Sequence, residues 1–185
     1  FTSWVLGTSD STPTLVVFTT GGEISVMDYY EASGDSLDHY VQWLNDKGYR
    51  DYTHILPHDV NVRELQTGKS RYEFLSDAGL NIEVCPKHSV EDGIQAVRKM
   101  LPNTWFNKET TKHGLECLRN YRRVFNDKLN VYQNKALHDW SSHGADAFRY
   151  LAMGLDTTAT TGKRSNWNEP YETTYDGESY KQQYL

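Results

Sequence analysis

The sequence predicts an α/β domain built on a mixed sheet, antiparallel at its start and parallel behind, with helices flanking it. Three strand-like segments come first, within residues 1–32, and helices then alternate with short apolar segments as far as residue 155. A length of 185 residues suffices for one domain with a substantial core but not for two ordinary ones. We therefore expect a folded domain over 1–155. The remainder, 156–185, has almost no aliphatic residues and is expected to be a polar, flexible tail.

The first three segments predict an antiparallel meander. They are FTSWVLG (1–7), PTLVVFTT (13–20) and EISVMDYYEA (23–32), of which the second is rich in β-branched residues. Gly21-Gly22 lies between the second and third segments and predicts a tight turn.

The next elements are a helix, a strand, a second helix and a second strand. The first helix follows Asp35 or Ser36 as N-cap and stops before Gly48. Its apolar positions fall at i, i+3, i+4 and i+7, namely Leu37, Tyr40, Val41 and Leu44. YTHILPHDV (52–60) predicts a short strand, SRYEFLSDAG (70–79) a short helix, and LNIEVCP (80–86) another strand.

Helices dominate the remainder of the predicted domain. SVEDGIQAVRKML (89–101) begins with a Ser89-x-x-Asp92 cap, and TTKHGLECLRNYRRVF (110–125) is expected to be helical throughout. LNVYQNKALHD (129–139) is expected to supply one arm of a hairpin, and SSHGADAFRYLAMGL (141–155) the last helix.

Composition excludes several classes of protein. No apolar run approaches the roughly 20 residues that a membrane span needs. The net charge of −6 is unusual for a stand-alone nucleic-acid binder, but it is compatible with a metal site made of clustered carboxylates. Cys85 and Cys117 are isolated, which favours free, buried thiols in a reduced compartment over a disulfide or a zinc site.

The stretch LQTGKS superficially resembles a phosphate-binding P-loop. The motif requires glycine five residues before Gly68, where this chain has Arg63, and no buried strand precedes it. We therefore expect a polar loop in which Lys69 and Arg71 face solvent or contact DNA phosphates.

Several acidic residues lie where strands or helix faces could bring them together. Asp59 follows an apolar strand, and ligand sites in α/β sheets gather at the carboxyl ends of strands, although a simple turn cap is the alternative. Asp146 shares a helical stripe with His143, so a metal site is possible there; the alternative is a surface carboxylate paired with Arg149. Asp28 and Glu31, near the end of the third strand, are weaker candidates for the same site.

The order of these segments resembles the C-terminal nuclease domain of large terminase subunits from tailed bacteriophages. The similarity covers nearly all of residues 1–155. The segments that carry it are DYYEASGDSLDHYV, LPHDV, TGKSR, DGIQAVRKMLP, LECLRNYRR and HDWSSHGADAFRYLA.

The resemblance implies an RNase H-like fold and Mg²⁺- or Mn²⁺-dependent cleavage of concatemeric double-stranded DNA. It also implies an upstream ATPase domain of the same subunit, a small terminase subunit and a portal as partners, and a place in the host cytoplasm as part of the packaging motor. No membrane partner is expected.

The family's site contains one acidic residue on the first strand, one at the end of the fourth, and one on the last helix. Asp59 and Asp146 match the last two, and His143 matches a position often occupied by histidine. Val5 occupies the place of the first, in WVLGTSDST, and Asp10 lies too far along the turn to replace it. Valine offers a metal no ligand, so we expect a weakened two-metal site and impaired cleavage.

Two alternatives to this function remain at the level of sequence. One is another RNase H-like nuclease, such as a Holliday-junction resolvase. The other is a catalytically silent module that docks DNA or the portal. For DNA binding we expect contributions from the basic residues around the site, namely Lys69, Arg71, Lys112, Arg119, Arg122 and Arg123.

Overall fold

A six-stranded mixed sheet forms the centre of the computed structural model, which describes residues 1–6, 11–63 and 68–160. Its strands in chain order are β1 (Thr2–Trp4), β2 (Ser11–Thr20), β3 (Glu23–Ser33), β4 (Thr53–Leu56), β5 (Asn81–Val84) and β6 (Thr104–Phe106). Across the sheet the order is β5-β4-β1-β2-β3-β6. β2 is antiparallel to β1 and β3, whereas the β1–β4, β4–β5 and β3–β6 pairs are parallel. The predicted mixed sheet, a meander followed by parallel strands, is confirmed.

Helices cover both faces of the sheet. They are α1 (Leu37–Lys47), α2 (Arg71–Asp77), α3 (Val90–Met100), α4 (Lys112–Asn120) and α5 (Ser142–Thr160). On one face Trp4 and Leu56 pack with residues of α1 and α2. On the other face Ile55 packs with Phe148 and other residues of α3 and α5. Because neighbouring strand residues point to opposite faces, Ile55 and Leu56 belong to different cores.

α5 lies very close to the sheet, and glycine makes this approach possible. A Cβ atom added to Gly154 would lie 2.6 Å from Cγ2 of Ile55 on β4. Nearer the start of α5, the Ser3 hydroxyl of β1 donates a hydrogen bond of 2.9 Å to the Ala147 carbonyl. The helix therefore crosses β1 and β4, the two central parallel strands. It continues to Thr160, five residues past the predicted end of the folded domain, and the segment 161–185 lies outside the described residues.

Two parts of the chain differ from the sequence-based prediction. The helix predicted over 110–125 ends at Asn120, because the following residues pair as a hairpin of β7 (Arg123–Asn126) and β8 (Val131–Ala136). Arg122 and Arg123 are therefore not helical, contrary to the prediction. β6 was not predicted at all, since three residues are too few to show an alternating pattern.

A buried polar chain links β1 to β4 beneath α1. The Trp4 indole N–H donates to the Thr2 hydroxyl at 2.7 Å, and that hydroxyl lies 2.7 Å from Nδ1 of His54. His54 Nε2 lies 2.9 Å from the Arg50 carbonyl. A neutral ring with its proton on Nε2 satisfies every partner, and burial lowers the pKa of His54 to about 4.

The remaining predictions on compartment and class concern cysteines and membrane helices. Cys85 and Cys117 are both free and buried, as predicted. None of the described helices is long and apolar enough to cross a membrane.

Candidate active site at the carboxyl end of the central strands

Val5 and Asp59 lie just beyond the ends of neighbouring parallel strands. Ser3 of β1 pairs with Ile55 of β4, so the two strands finish at the same edge of the sheet. Val5 follows β1 directly, and Asp59 lies in a 3₁₀ turn, His58–Asn61, that follows β4. The Asp59 side chain is exposed at this edge. The carboxyl ends of parallel strands are where α/β proteins most often place ligands.

α5 brings Asp146 to the same edge. Its neighbour Ala147 accepts the hydrogen bond from Ser3, two residues before Val5. One turn later, Tyr150 is near both acidic residues. Its pKa is raised first by burial, then by the negative charge of Asp59, with a further contribution from Asp146. The two carboxylates therefore act on one phenol from a strand end and a helix.

Asp146 is held by a buried arginine. Arg149 Nε and Nη2 lie 2.9 and 2.6 Å from Asp146 Oδ1. The Arg149 side chain is only 9% exposed, and that of Asp146 25% exposed. Gly93 of α3 makes room for the arginine, since a Cβ there would lie 3.1 Å from the Arg149 Cβ. The alternative prediction of a surface pair with Arg149 is thus half right: the pair exists, but its arginine is buried.

His143 precedes Asp146 by one helical turn and is half-buried. Its ring meets the His138 ring edge-on, with centroids 5.2 Å apart. His138 Nδ1 in turn lies 2.9 Å from the Ser142 hydroxyl. Asp139 caps the start of α5 by accepting a 2.9 Å hydrogen bond from the Ser141 N–H, and the Ser141 contacts lower the pKa of Asp139.

Val5 is fixed by its backbone and packs through its side chain. Its N–H donates a 3.1 Å hydrogen bond to the Pro13 carbonyl, and its side chain packs against the core beneath α5. Position 5 is therefore held rigidly between strand ends. The isopropyl group fills space there but presents neither charge nor lone pair. Asp10 lies outside the described residues.

Comparison with solved structures yields several phage proteins of similar fold. The large terminase of a thermophilic bacteriophage, in complex with ATP-γ-S, matches with a TM-score of 0.65 and 17% identity over 83% of this chain and 39% of that chain. The P22 large terminase nuclease domain matches with a TM-score of 0.60 and 22% identity over 84% and 80%. The bacteriophage SPP1 large terminase nuclease domain with bound Mn matches at 0.56 and 14% over 84% and 85%.

This chain has the fold of large terminase nuclease domains. The predicted RNase H-like class is thereby confirmed. No family model and no curated protein matches the chain. The chain spans about two fifths of the thermophilic-phage large terminase and most of the two isolated nuclease domains.

In this terminase nuclease fold, the residues at the strand ends do not fit a two-metal centre as they stand. Val5 supplies no ligand, and Arg149 already binds an oxygen of Asp146. Within 1–6, 11–63 and 68–160, Asp59, Asp146 and His143 do not form a trio with ligand atoms within 4.8 Å of one another. The arginine supplies the positive charge that Asp146 requires.

Asp28 does not join this edge, contrary to the sequence-based suggestion. It lies on the sheet face covered by α1, where its Oδ2 is 3.6 Å from Lys47 Nζ and 3.4 Å from the Tyr49 hydroxyl. Strand alternation explains the error, because Asp28 and Tyr29 must face opposite sides of β3. Glu31 shares the face of Tyr29 but contacts His113 of α4, with 3.1 Å between Oε2 and Nε2.

The predicted DNA-binding residues separate into several groups. Arg71 Nη1 donates 2.8 Å to the Leu6 carbonyl, next to Val5, while Lys69 pairs with Asp77 at 3.1 Å. On α4, Lys112 is exposed and Arg119 pairs with Glu116 at 2.7 Å.

Arg122 and Arg123 line a cleft of ≈ 790 Å³ between α3, the β7–β8 hairpin and the start of α5. Asp146 and Arg149 lie on its wall, so the cleft leads to the candidate active site. Sequence reasoning missed two further cations of this lining, Arg98 and Lys135. Neither is marked by a motif, since each comes from a separate element that only the fold brings together.

Proposed function

We propose that this chain is the nuclease domain of a phage genome-packaging terminase large subunit, and that Val5 impairs its cleavage of DNA. The observation that carries the proposal is the meeting of Val5, Asp59 and the Asp146-bearing helix at one edge of the sheet. The family that the sequence resembles has acidic residues at all three positions. The SPP1 nuclease domain, which has the same fold, was solved with Mn bound.

The missing carboxylate explains the expected impairment. Two-metal cleavage of a phosphodiester needs ions about 3.5–4 Å apart, and closely spaced cations require several anionic ligands. This chain offers Asp59 and an Asp146 already paired with Arg149. Mg²⁺ or Mn²⁺, the expected cofactors, should therefore bind weakly, and cleavage should be slow or absent.

The substrate in this proposal is double-stranded DNA, bound by its phosphates. Arg98, Arg122, Arg123 and Lys135 line the cleft beside Asp146, which gives it a basic wall in a chain of net charge −6. Arg122 and Arg123 also contact Asp139 and Glu91, at 3.4 and 3.7 Å. Exposed pairs of this kind are weak and would exchange readily for phosphate contacts.

The wider biological setting is part of the same proposal. The thermophilic-phage large terminase is more than twice as long as the segment matched by this chain. We place this domain after a packaging ATPase domain, in contact with a small terminase subunit and a portal, acting on concatemeric DNA in the host cytoplasm.

One observation favours a second candidate, a catalytically silent docking module for DNA or the portal. The buried Asp146–Arg149 pair neutralises the carboxylate without any divalent ion. A domain that only docks would need the basic cleft and would bind DNA equally in chelator and in Mn²⁺.

Plasmid cleavage in Mn²⁺ tests the proposal. We compare the chain with Val5→Asp and with Val5→Asn, which matches the aspartate in size but lacks its charge. The expected result is that only Val5→Asp converts supercoiled plasmid to nicked and linear forms at least about 100-fold faster, since a lost metal ligand or charge stabiliser costs this order of rate. Inactivity of Val5→Asp, with DNA binding unaffected by chelator, would favour the docking module instead.

A further inference from the structure

A second group of possible metal ligands lies between β3 and α4. Glu31 is on β3, and His113 and Cys117 are four residues apart on one face of α4. One ligand atom from each residue lies within 4.8 Å of the others. Among the residues that the structure describes, no other trio of His, Cys, Asp or Glu comes this close.

The donor chemistry of this group is specific. A thiolate, an imidazole and a carboxylate together are the ligands typical of zinc, whereas magnesium and calcium prefer oxygen alone. Zinc–ligand distances of about 2.0–2.3 Å place neighbouring ligand atoms of a tetrahedral site roughly 3.5 Å apart. Side-chain movements of about an ångström would therefore close the trio around an ion, and water or another donor would complete the four ligands.

The surroundings give the group a closed back and an open front. Cys117 is fully buried, and the Glu31 side chain is 13% exposed. Gly144 of α5 closes the back, because a Cβ there would lie 2.6 Å from Cys117 Sγ. His113, whose side chain is 57% exposed, forms the front and provides an entry path from solvent.

The present contacts of Glu31 show that its carboxylate already attracts donors. Oε2 accepts a hydrogen bond from the Tyr29 hydroxyl and lies 3.1 Å from His113 Nε2. The Tyr29 hydroxyl also lies 4.0 Å from Cys117 Sγ. A cation at this point would replace these weak links with ligand bonds among the same side chains.

We propose that Glu31, His113 and Cys117 bind a zinc-class divalent cation that ties α4 to β3. Cys117 and Glu31 belong to segments far apart in sequence, which is why spacing alone favoured a free thiol. The role is structural, since the trio holds together two elements beneath the first turn of α5. The inference does not depend on the nuclease proposal, because none of its residues belongs to the candidate active site.

Cobalt spectroscopy of the full chain tests the thiolate directly. Co²⁺ bound through sulfur gives a ligand-to-metal charge-transfer band in the near ultraviolet, which oxygen and nitrogen ligands do not. We expect one Co²⁺ per chain with this band, and its loss on adding one equivalent of Zn²⁺. Cys117→Ser should abolish the band, and Cys85→Ser, the matched control at the other buried thiol, should retain it.

Zinc affinity, measured by competition with a chromogenic chelator, provides the second readout. His113→Gln should weaken binding by at least about 100-fold, since loss of an outer-shell partner alone costs 10–100-fold. His113 is exposed, so this variant avoids the folding risk of changing a buried cysteine. Asp59→Asn should bind zinc within about twofold of the parent, which separates this group from the strand-end site. An unchanged affinity in His113→Gln, or a thiolate band that persists in Cys117→Ser, would overturn the proposal.

Discussion

The Asp146–Arg149 pair makes an unequal pair of substitutions informative. Asp146→Asn leaves a guanidinium that is 9% exposed with a neutral partner, whereas Arg149→Met leaves a carboxylate that is 25% exposed and open to water. Methionine also retains most of the apolar packing of the arginine stem. The two variants therefore differ mainly in which charge is left without its counterion.

The expected costs follow from the burial of each partner. Breaking a buried ion pair costs about 3–5 kcal/mol, and partial exposure of the survivor lowers this figure. We expect Asp146→Asn to destabilise the fold by about 2–4 kcal/mol and Arg149→Met by about 1–2 kcal/mol. The double variant should cost about 1–2 kcal/mol less than the sum, because the pair is then already broken.

Urea unfolding at constant pH, with the slopes compared, measures all three costs. Strictly additive costs, or a larger cost for Arg149→Met, would refute the view that the arginine serves as the counter-cation of Asp146. Adding Arg149→Met to Val5→Asp provides the functional counterpart. Freed from the guanidinium, Asp146 should bind Mn²⁺ more tightly than in Val5→Asp alone.

Two further predictions concern pH and salt. His54 is protonated more readily when unfolded, at pKa 6.5, than when folded, at about 4, so its contribution to stability is complete above pH 6.5 and falls by about 3 kcal/mol as pH drops through 4. Thermal melting from pH 7 to 4 should show this loss, and His54→Gln, which can still pair with Thr2 and Arg50, should show a flatter profile. Arg122→Glu should lower the dependence of DNA affinity on salt by a slope of about 1 or more, while Lys47→Glu, the same charge change on the opposite face, should not. Equal slopes for both variants would remove the cleft as the DNA-binding surface.

Local signals in the sequence predicted most of the elements. Ser36 and Gly48 bound α1, and Gly48 has the left-handed φ of 74° that ends a helix. Ser89 accepts a 3.1 Å hydrogen bond from the Asp92 N–H at the start of α3. Such caps act within four residues, so a single segment contains all the information they need.

The errors arose where distant segments decide the structure. The residues after Asn120 continue a plausible helical pattern, yet they form β7 because β8, which follows a short turn, pairs with them. Asp28 faces α1 because the register of β3 in the sheet determines its side. The Arg149 partner of Asp146 was visible as an i+3 spacing, but its burial depends on Gly93 of another helix.

The hydrogen bond from Ser3 to Ala147 joins residues 144 positions apart, and this distance has a consequence for synthesis of the chain. At about 5–20 residues per second, a ribosome needs roughly 7–30 s to make the stretch between them. During that time Leu15, Val17 and Ile55 have been made, but Phe148, which covers them, has not. The nascent sheet therefore presents a bare apolar face for seconds before α5 can close it. Such a face is a binding surface for general chaperones and, without them, a starting point for aggregation.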